Sequence, residues 1–216
     1  MSQTQPNASS SDVQSVLTAA LEAYEETTNI KLLTHPLAAQ IQSCDSPTAT
    51  LSVLRDLMQQ FDQRHRSDQG LTNWLNATMK VLYTFSATLG QGVSVALSPA
   101  NMVFSGLGVL LLVAKDANNS QHAVIDIIND IEGSFKHLES YTEVPPTAVM
   151  TNAMVKITTK LLSILAITTK EIKQDRSKKL MAKLLWSRTV LPLSHMNTLM
   201  MEVVQMAIVE TSKVTK

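Results

Sequence analysis

The chain has 216 residues, of which 44% are apolar, 17% charged and 4% aromatic. This composition is typical of a folded globular protein and excludes disordered and collagen-like chains. Because 18 Lys and Arg residues balance 18 Asp and Glu residues, no strong net charge attracts the chain to nucleic acid.

The N-terminal residues 1–11 are polar and lack the basic and apolar regions of a secretory signal. We therefore expect a disordered arm there. The single cysteine, Cys44, excludes an internal disulfide and favours a reducing, cytoplasmic location.

Apolar residues recur with helical spacing after Asp12, which is a predicted N-cap. No segment shows the alternation of apolar and polar residues that is typical of a half-buried strand. The first predicted helix ends near Thr28 and Asn29. Its expected buried stripe consists of Val13, Val16, Leu17, Ala20 and Tyr24. A short segment at His35–Leu37 leads to a second long helix, whose start is marked by Ser46 and Pro47.

Four further long helices follow in the chain. The third covers about 71–89 and stops at the Gly90-Gln-Gly92 break. The fourth starts at Ser98-Pro99 and runs to about Asp116. The fifth is broken by Pro145-Pro146, and the sixth covers about 147–173. The apolar stripe of the fifth helix comprises Val124, Ile127, Ile128, Ile131, Phe135 and Leu138. Six long helices with short turns predict an all-α fold, an antiparallel bundle over residues 12–175.

The fourth helix has an unusual composition, because no charged residue occurs between Lys80 and Lys115. A helix that is apolar on every side must be buried, so we expect it at the centre of the bundle. Its apolar run of about 13 residues is shorter than the ~20 residues of a membrane span. We expect Gly106 and Gly108 to let neighbouring helices approach closely. The residues expected in this buried helix include Met102, Phe104, Leu107, Leu110 and Leu111. An alternative is that the stretch from Met102 to Ala114 inserts into a membrane once the bundle opens.

The C-terminal residues 176–216 form a basic extension, with seven Lys and Arg residues and two Glu residues. The segment 178–188 either lies on an anionic membrane or continues the preceding helix and packs on the acidic bundle. The apolar face of 196–208 predicts a seventh bundle helix or a helix that binds a protein partner. The candidate contact residues are Lys178, Lys179, Lys183, Trp186, Arg188, Met196 and Met200.

The sequence contains no recognisable catalytic or cofactor motif. The five histidines lie far apart, and no P-loop, HExxH or GxSxG motif occurs. The carboxylate pairs Asp126/Asp130 and Glu25/Glu26 are best explained as solvated surface, and Cys44 has no adjacent cation to activate it. We expect no enzymatic activity, cofactor, metal or small-molecule substrate.

Several short strings occur in an order that resembles one known family. They are Leu21-Glu-Ala-Tyr24, Thr28-Asn-Ile30, His35-Pro36-Leu37, Gln42 to Ser46, Phe61 to Arg64, Leu71 to Leu75, Leu89-Gly90, Ser98-Pro99-Ala100 and Phe104 to Leu111. Together they resemble the fungal STAND N-terminal Goodbye domain over roughly residues 16–175. The chain departs from the family pattern at Asn29, where glycine is usual, and at Ser98, which replaces one of two prolines.

The resemblance implies an all-helical signalling module of fungal NOD-like receptors, acting in self/non-self recognition or programmed cell death. By analogy with related effector domains, it also implies membrane engagement on activation. The expected partners are helical signalling domains and an anionic membrane, and the expected location is cytoplasmic, with membrane association when active. The alternatives are an adaptor that binds other helical domains and a truncated receptor without its nucleotide-binding domain.

Overall fold

The computed structural model describes residues 10–61, 78–87, 97–117 and 148–174, together with positions 124, 125, 127, 128, 131, 135, 198 and 201. The regular structure of these residues is helical, and none of them lies in a strand. The predicted all-α class is confirmed. The antiparallel order of the bundle stays a prediction.

Six helices can be bounded in the longer described ranges. They are α1 (Ser10–Thr28), α2 (Pro36–Gln42), α3 (Pro47–Phe61), α4 (described at 78–87), α5 (Pro99–Asp116) and α6 (Ala148–Lys173). Six separate positions between 124 and 135 are also helical. Five of these are buried, and they belong to the predicted apolar stripe: Val124, Ile127, Ile128, Ile131 and Phe135. Leu138, Gly90 and Gly92 lie outside the described residues.

Helix α1 differs from the prediction in two respects. It begins at Ser10, so Asp12 lies in its first turn and does not precede it as an N-cap. Val16 was expected in the buried stripe but is 45% exposed. At about 100° per residue, Val16 lies roughly 90° from the centre of the stripe that contains Leu17 and Tyr24, so it falls at the edge of the buried face.

Helix α1 ends at a residue with left-handed backbone. Asn29 has a φ of 55°, and its N–H donates to the Glu25 carbonyl over 2.8 Å. Glycine favours this conformation because it has no Cβ, and asparagine tolerates it better than most residues. This geometry explains why the first loop accepts Asn29 where the family resemblance implies glycine.

The start of α5 satisfies its backbone donors without a charged group. The Ser98 side chain accepts from the Asn101 N–H over 3.2 Å, and Pro99 at the first helical position has no N–H to satisfy. The Ala100 N–H donates to Ser86 Oγ over 3.1 Å, and the Met102 N–H donates to the Ser98 carbonyl over 3.0 Å. Two serines therefore allow an uncharged helix to begin inside the protein.

Helix α5 lies at the centre of the described core. Every residue from Pro99 to Leu111 is buried, and α5 packs against α2, α3 and α6. The five residues expected in the buried helix are each at most 1% exposed: Met102, Phe104, Leu107, Leu110 and Leu111. A helix that is apolar all round is thus enclosed by neighbouring helices.

The two glycines of α5 allow close packing on two different sides. A Cβ added at Gly106 would lie 3.1 Å from Leu165 Cδ1 of α6 and 3.6 Å from Tyr24 Cε2 of α1. A Cβ added at Gly108 would collide with Leu37 Cδ2 of α2 and lie 3.5 Å from Leu57 Cδ1 of α3. Successive helical positions two apart point to roughly opposite sides, so each glycine serves a different pair of neighbours.

Candidate functional site

The predicted contact residues of the C-terminal extension lie outside the described residues. These are Lys178, Lys179, Lys183, Trp186, Arg188, Met196 and Met200. In the 196–208 segment the structure describes only Thr198 and Met201, which are helical and exposed. Met201 is 58% exposed. The membrane and partner contacts expected from 176–216 therefore stay predictions.

The described helix with the length and composition of a membrane-interacting segment is α6. Its stretch Met150–Lys173 has 24 residues; the most apolar 18-residue window has a mean hydropathy of 1.2, and 61% of that window is buried inside the fold. Helix α5 is apolar but shorter, over Pro99–Lys115. The predicted membrane-inserting alternative was the stretch Met102–Ala114 of α5, because that stretch is uncharged. In α6, Lys156 and Lys160 interrupt the apolar run.

Helix α6 places three of its lysines on one face and its large apolar residues on the opposite face, while its one carboxylate, Glu171, is buried. Lys156 and Lys160 are exposed and Lys170 is half-buried, and their spacing places them on one face. The opposite face is buried against α1 and α5. Its largest apolar members, each at most 3% exposed, are Met150, Met154, Ile157, Leu161, Leu162, Ile164, Leu165 and Ile172.

Two buried threonines of α6 satisfy their hydroxyl groups within their own helix. Thr158 Oγ1 donates to the Met154 carbonyl and Thr168 Oγ1 to the Ile164 carbonyl, each over 2.8 Å. Both residues are fully buried. Because each donor bonds to the carbonyl four residues earlier, these side chains need no donor partner outside α6.

One contact between α1 and α6 brings together two buried hydroxyl groups, those of Tyr24 and Thr169. Tyr24 is 1% exposed and Thr169 is fully buried. Burial raises the pKa of Tyr24 to about 12, and the nearby Thr169 hydroxyl offsets part of that rise. The two oxygens do not reach hydrogen-bond geometry, and neither has another protein partner. Two poorly paired hydroxyls therefore lie inside an apolar interface, which is unfavourable for the closed packing.

The adjacent end of the α1–α6 interface is polar and well bonded. Lys173 Nζ of α6 donates to the Thr28 carbonyl at the end of α1 over 3.2 Å. A cation at the C-terminal end of a helix is favourable, because the last carbonyls carry partial negative charge. Glu25 was expected to be solvated surface, but it is half-buried, and its Oε1 accepts from the Leu32 N–H over 3.0 Å. Glu25 therefore holds the loop after α1, a role that sequence spacing did not reveal.

His35 is another residue whose role the sequence did not reveal. Its Nδ1 accepts from the Leu37 N–H over 3.3 Å and caps α2. Partial burial lowers the pKa of the imidazole below its ordinary value. The His-Pro pair before an apolar helix start was the available signal, since the residue before a helical proline occupies the cap position.

A hydroxyl pair connects α3 to α4 beside the central helix. Thr50 and Tyr83 share a hydrogen bond of 2.8 Å, and the Tyr83 ring stacks on Phe104 of α5 with centroids 6.1 Å apart. Burial raises the pKa of Tyr83. Nearby in the chain, Cys44 Sγ donates to the Gln40 carbonyl over 3.3 Å. These contacts are structural and bring no nucleophile together with a base.

The described part of the chain contains no group of three or more His, Cys, Asp or Glu residues that could hold a metal ion. Asp126 and Asp130, which form one of the two carboxylate pairs, lie outside it. The chemistry that the described residues offer is therefore apolar helix packing, with α6 and its interface with α1 as the candidate site.

Comparisons with known proteins identify the chain by a family model. No curated protein and no solved structure matches it. The model of the fungal STAND N-terminal Goodbye domain matches residues 17–141, which is more than half of the chain. The match ends before α6, whereas the sequence analysis expected the resemblance to extend to about residue 175. The chain belongs to the family of fungal STAND N-terminal Goodbye domains.

Proposed function

We propose that this protein is a non-enzymatic helical signalling or effector module of the fungal NOD-like receptor type. It acts in self/non-self recognition or programmed cell death by association of helices, and it engages an anionic membrane when activated. The observation that carries this proposal is the family match over residues 17–141.

The physical character of the described residues supports association as the mode of action. The Pro99–Leu111 part of helix α5 is uncharged and buried, and α6 buries one apolar face while it presents lysines on the other. Such amphipathic helices are the elements that signalling domains use to recognise other helices or lipid surfaces.

Inducible expression of the full chain in a filamentous fungus tests the proposal. Viability is followed by exclusion of a vital dye, and self-association by a split fluorescent reporter fused to two copies of the chain. We expect viability to fall and reporter signal to rise together after induction. Full viability and no reporter signal, with soluble helical protein present at the same level, would contradict the proposal.

A second candidate function is that of an adaptor that binds another helical domain through the 196–208 segment. The predicted apolar face of this segment, which includes Met196 and Met200, favours it, because Met-rich helical faces adapt to partner helices. Replacing Met196 and Met200 by Gln then abolishes reporter signal with a second helical signalling domain but leaves vesicle binding unchanged. An unchanged reporter signal would exclude the adaptor function of this segment.

A further inference from the structure

We infer that α6 is the membrane-contacting helix of this protein and that α1 is its displaceable cover, so that α6 lies in the plane of an anionic lipid surface once α1 leaves. This inference rests on the membrane branch of the proposed function. It assigns that branch to a helix other than α5 or the basic segment 178–188.

The length and charge pattern of α6 favour an orientation in the plane of the membrane. Met150–Lys173 is long enough to span a bilayer. However, Lys156 and Lys160 would lie well inside the hydrocarbon region of a spanning helix, where charged groups are costly. In the membrane plane the same lysines face the lipid headgroups while the apolar face enters the acyl chains.

The charge of α6 suits a negatively charged surface. The helix carries Lys156, Lys160, Lys170 and Lys173 against a single carboxylate, Glu171. Lys156 and Lys160 are exposed in the folded protein, so they are available for a first encounter with anionic headgroups.

Two of the buried threonines of α6 can move from protein to lipid at low cost in hydrogen bonds. The hydroxyls of Thr158 and Thr168 already bond to carbonyls of the same helix, whereas the buried Thr169 has no such bond. A hydroxyl that is satisfied within its helix leaves no unpaired donor when the surrounding protein is replaced by hydrocarbon.

The interface between α1 and α6 contains buried hydroxyls whose poor hydrogen bonding destabilises it. Tyr24 OH and Thr169 Oγ1 are buried without a hydrogen-bond partner, and separation of the helices exposes the tyrosine hydroxyl to water. Release of α1 therefore recovers hydration that the closed packing denies. The bond from Lys173 to the Thr28 carbonyl opposes this release at one end of the interface.

Partitioning of the full chain into vesicles of equal parts anionic and zwitterionic phospholipid tests whether the α6 face with Lys156 and Lys160 binds the membrane. K156Q/K160Q is expected to weaken partitioning about 30-fold at low salt, because each basic residue at an anionic surface contributes about a fivefold factor. The matched control K31Q/K115Q removes the same charge from two exposed lysines outside α6. We expect the control to change partitioning less than about threefold.

Two tyrosine substitutions test whether α1 covers the membrane-contacting face of α6. Y24F removes the unpartnered hydroxyl and so stabilises the packing of α1 on α6. Because apparent membrane binding scales with the fraction of molecules in which α1 has separated from α6, we expect Y24F to weaken partitioning about fivefold or more. Its control, Y83F, removes a hydroxyl that is bonded to Thr50 away from this interface. We expect Y83F to leave partitioning undiminished. Hydrogen exchange gives a second readout: anionic vesicles should increase exchange of α1 amides.

Each outcome supports or overturns the inference. Equal partitioning of K156Q/K160Q and its control, a loss confined to K178Q/K179Q, or full protection of α1 amides on vesicles would each overturn it while membrane engagement itself survives. If the wild-type chain does not partition at all, both the inference and the membrane branch of the proposed function fail. The helix-association branch is then still decided by its own reporter assay.

Discussion

Replacing Gly108 by alanine tests how closely α2 approaches the central helix. The backbone at Gly108 is helical, so alanine fits its conformation. The added Cβ would collide with Leu37 Cδ2 and lie 3.2 Å from Leu37 Cγ. Rotation of the leucine end cannot relieve the second contact, and Leu37 is only 6% exposed. The helices α2 and α5 must therefore separate.

Two opposing effects set the size of the change. Overpacking of a well-packed core costs about 1–3 kcal/mol, whereas alanine in place of glycine inside a helix contributes about 0.5–1 kcal/mol of stability. We expect G108A to lower the free energy of unfolding by about 1–2 kcal/mol. Urea denaturation followed by far-UV circular dichroism measures this change, with the slope of the transition unchanged.

Gly106 provides the matched control on the same helix. Its added Cβ would meet Leu165 Cδ1 at 3.1 Å, and this atom is the far end of a flexible side chain. A shift of a few tenths of an ångström relieves the contact. The stability gained from the higher helix propensity of alanine and the small cost of moving Leu165 therefore nearly cancel. We expect G106A to change the free energy of unfolding by less than about 0.5 kcal/mol.

A double-mutant cycle identifies the clashing partner. L37A alone should cost about 2–5 kcal/mol, as for other buried leucines. In the L37A background, G108A should become neutral or stabilise by up to about 1 kcal/mol, because the colliding atoms are gone. Additive effects of the two substitutions, or a G108A protein as stable as wild type, would refute the reasoning.

Three further predictions concern Asn29, Ser98 and His35. N29G should stabilise the protein by a few tenths of a kcal/mol and N29A should destabilise it by about 1 kcal/mol, because the φ of 55° favours glycine; equal thermal midpoints would contradict this. S98A should cost about 1–2 kcal/mol in urea denaturation, since it leaves the Asn101 N–H of a buried helix start without its cap. Lowering the pH from about 7 to about 5 should reduce stability, because the pKa of His35 is lower in the folded protein than in the unfolded chain, which takes up its proton first. H35N keeps a cap acceptor without titrating, so an equally steep pH dependence in that variant would exclude this cause.

The sequence predicted the elements of the fold better than their arrangement. The Ser98-Pro99 pair marked the start of α5 correctly because capping depends only on neighbouring residues. Periodicity also identified the buried face at Val124, Ile127, Ile128, Ile131 and Phe135. It could not show which helix covers that face, because one-dimensional spacing carries no information on partners. Val16 was misassigned for a related reason: the width of a buried stripe depends on the neighbouring helix.

The candidate site was less predictable than the fold. The poorly paired hydroxyls of Tyr24 and Thr169 are 145 residues apart in the chain, and only the packing of α1 on α6 brings them together. The sixth helix was predicted over about 147–173, but not as a membrane-contacting element. Lys156 and Lys160 interrupt its hydropathy, although their spacing places both on the outer face. The five buried positions of α5 needed no such information, since a segment without charge has no face that favours water.

The absence of charge from the central helix has a consequence for the response to ionic strength. No charged side chain occurs between Lys80 and Lys115, and the start of α5 is capped by serines. Dissolved ions act on exposed charges within a distance of about 10 Å at 0.1 M salt, so they have no side-chain charge to screen along the Pro99–Leu111 part of α5. A change in behaviour between dilute and concentrated simple salt thus reports on the outer helices and the terminal segments, while the interior acts as a constant background.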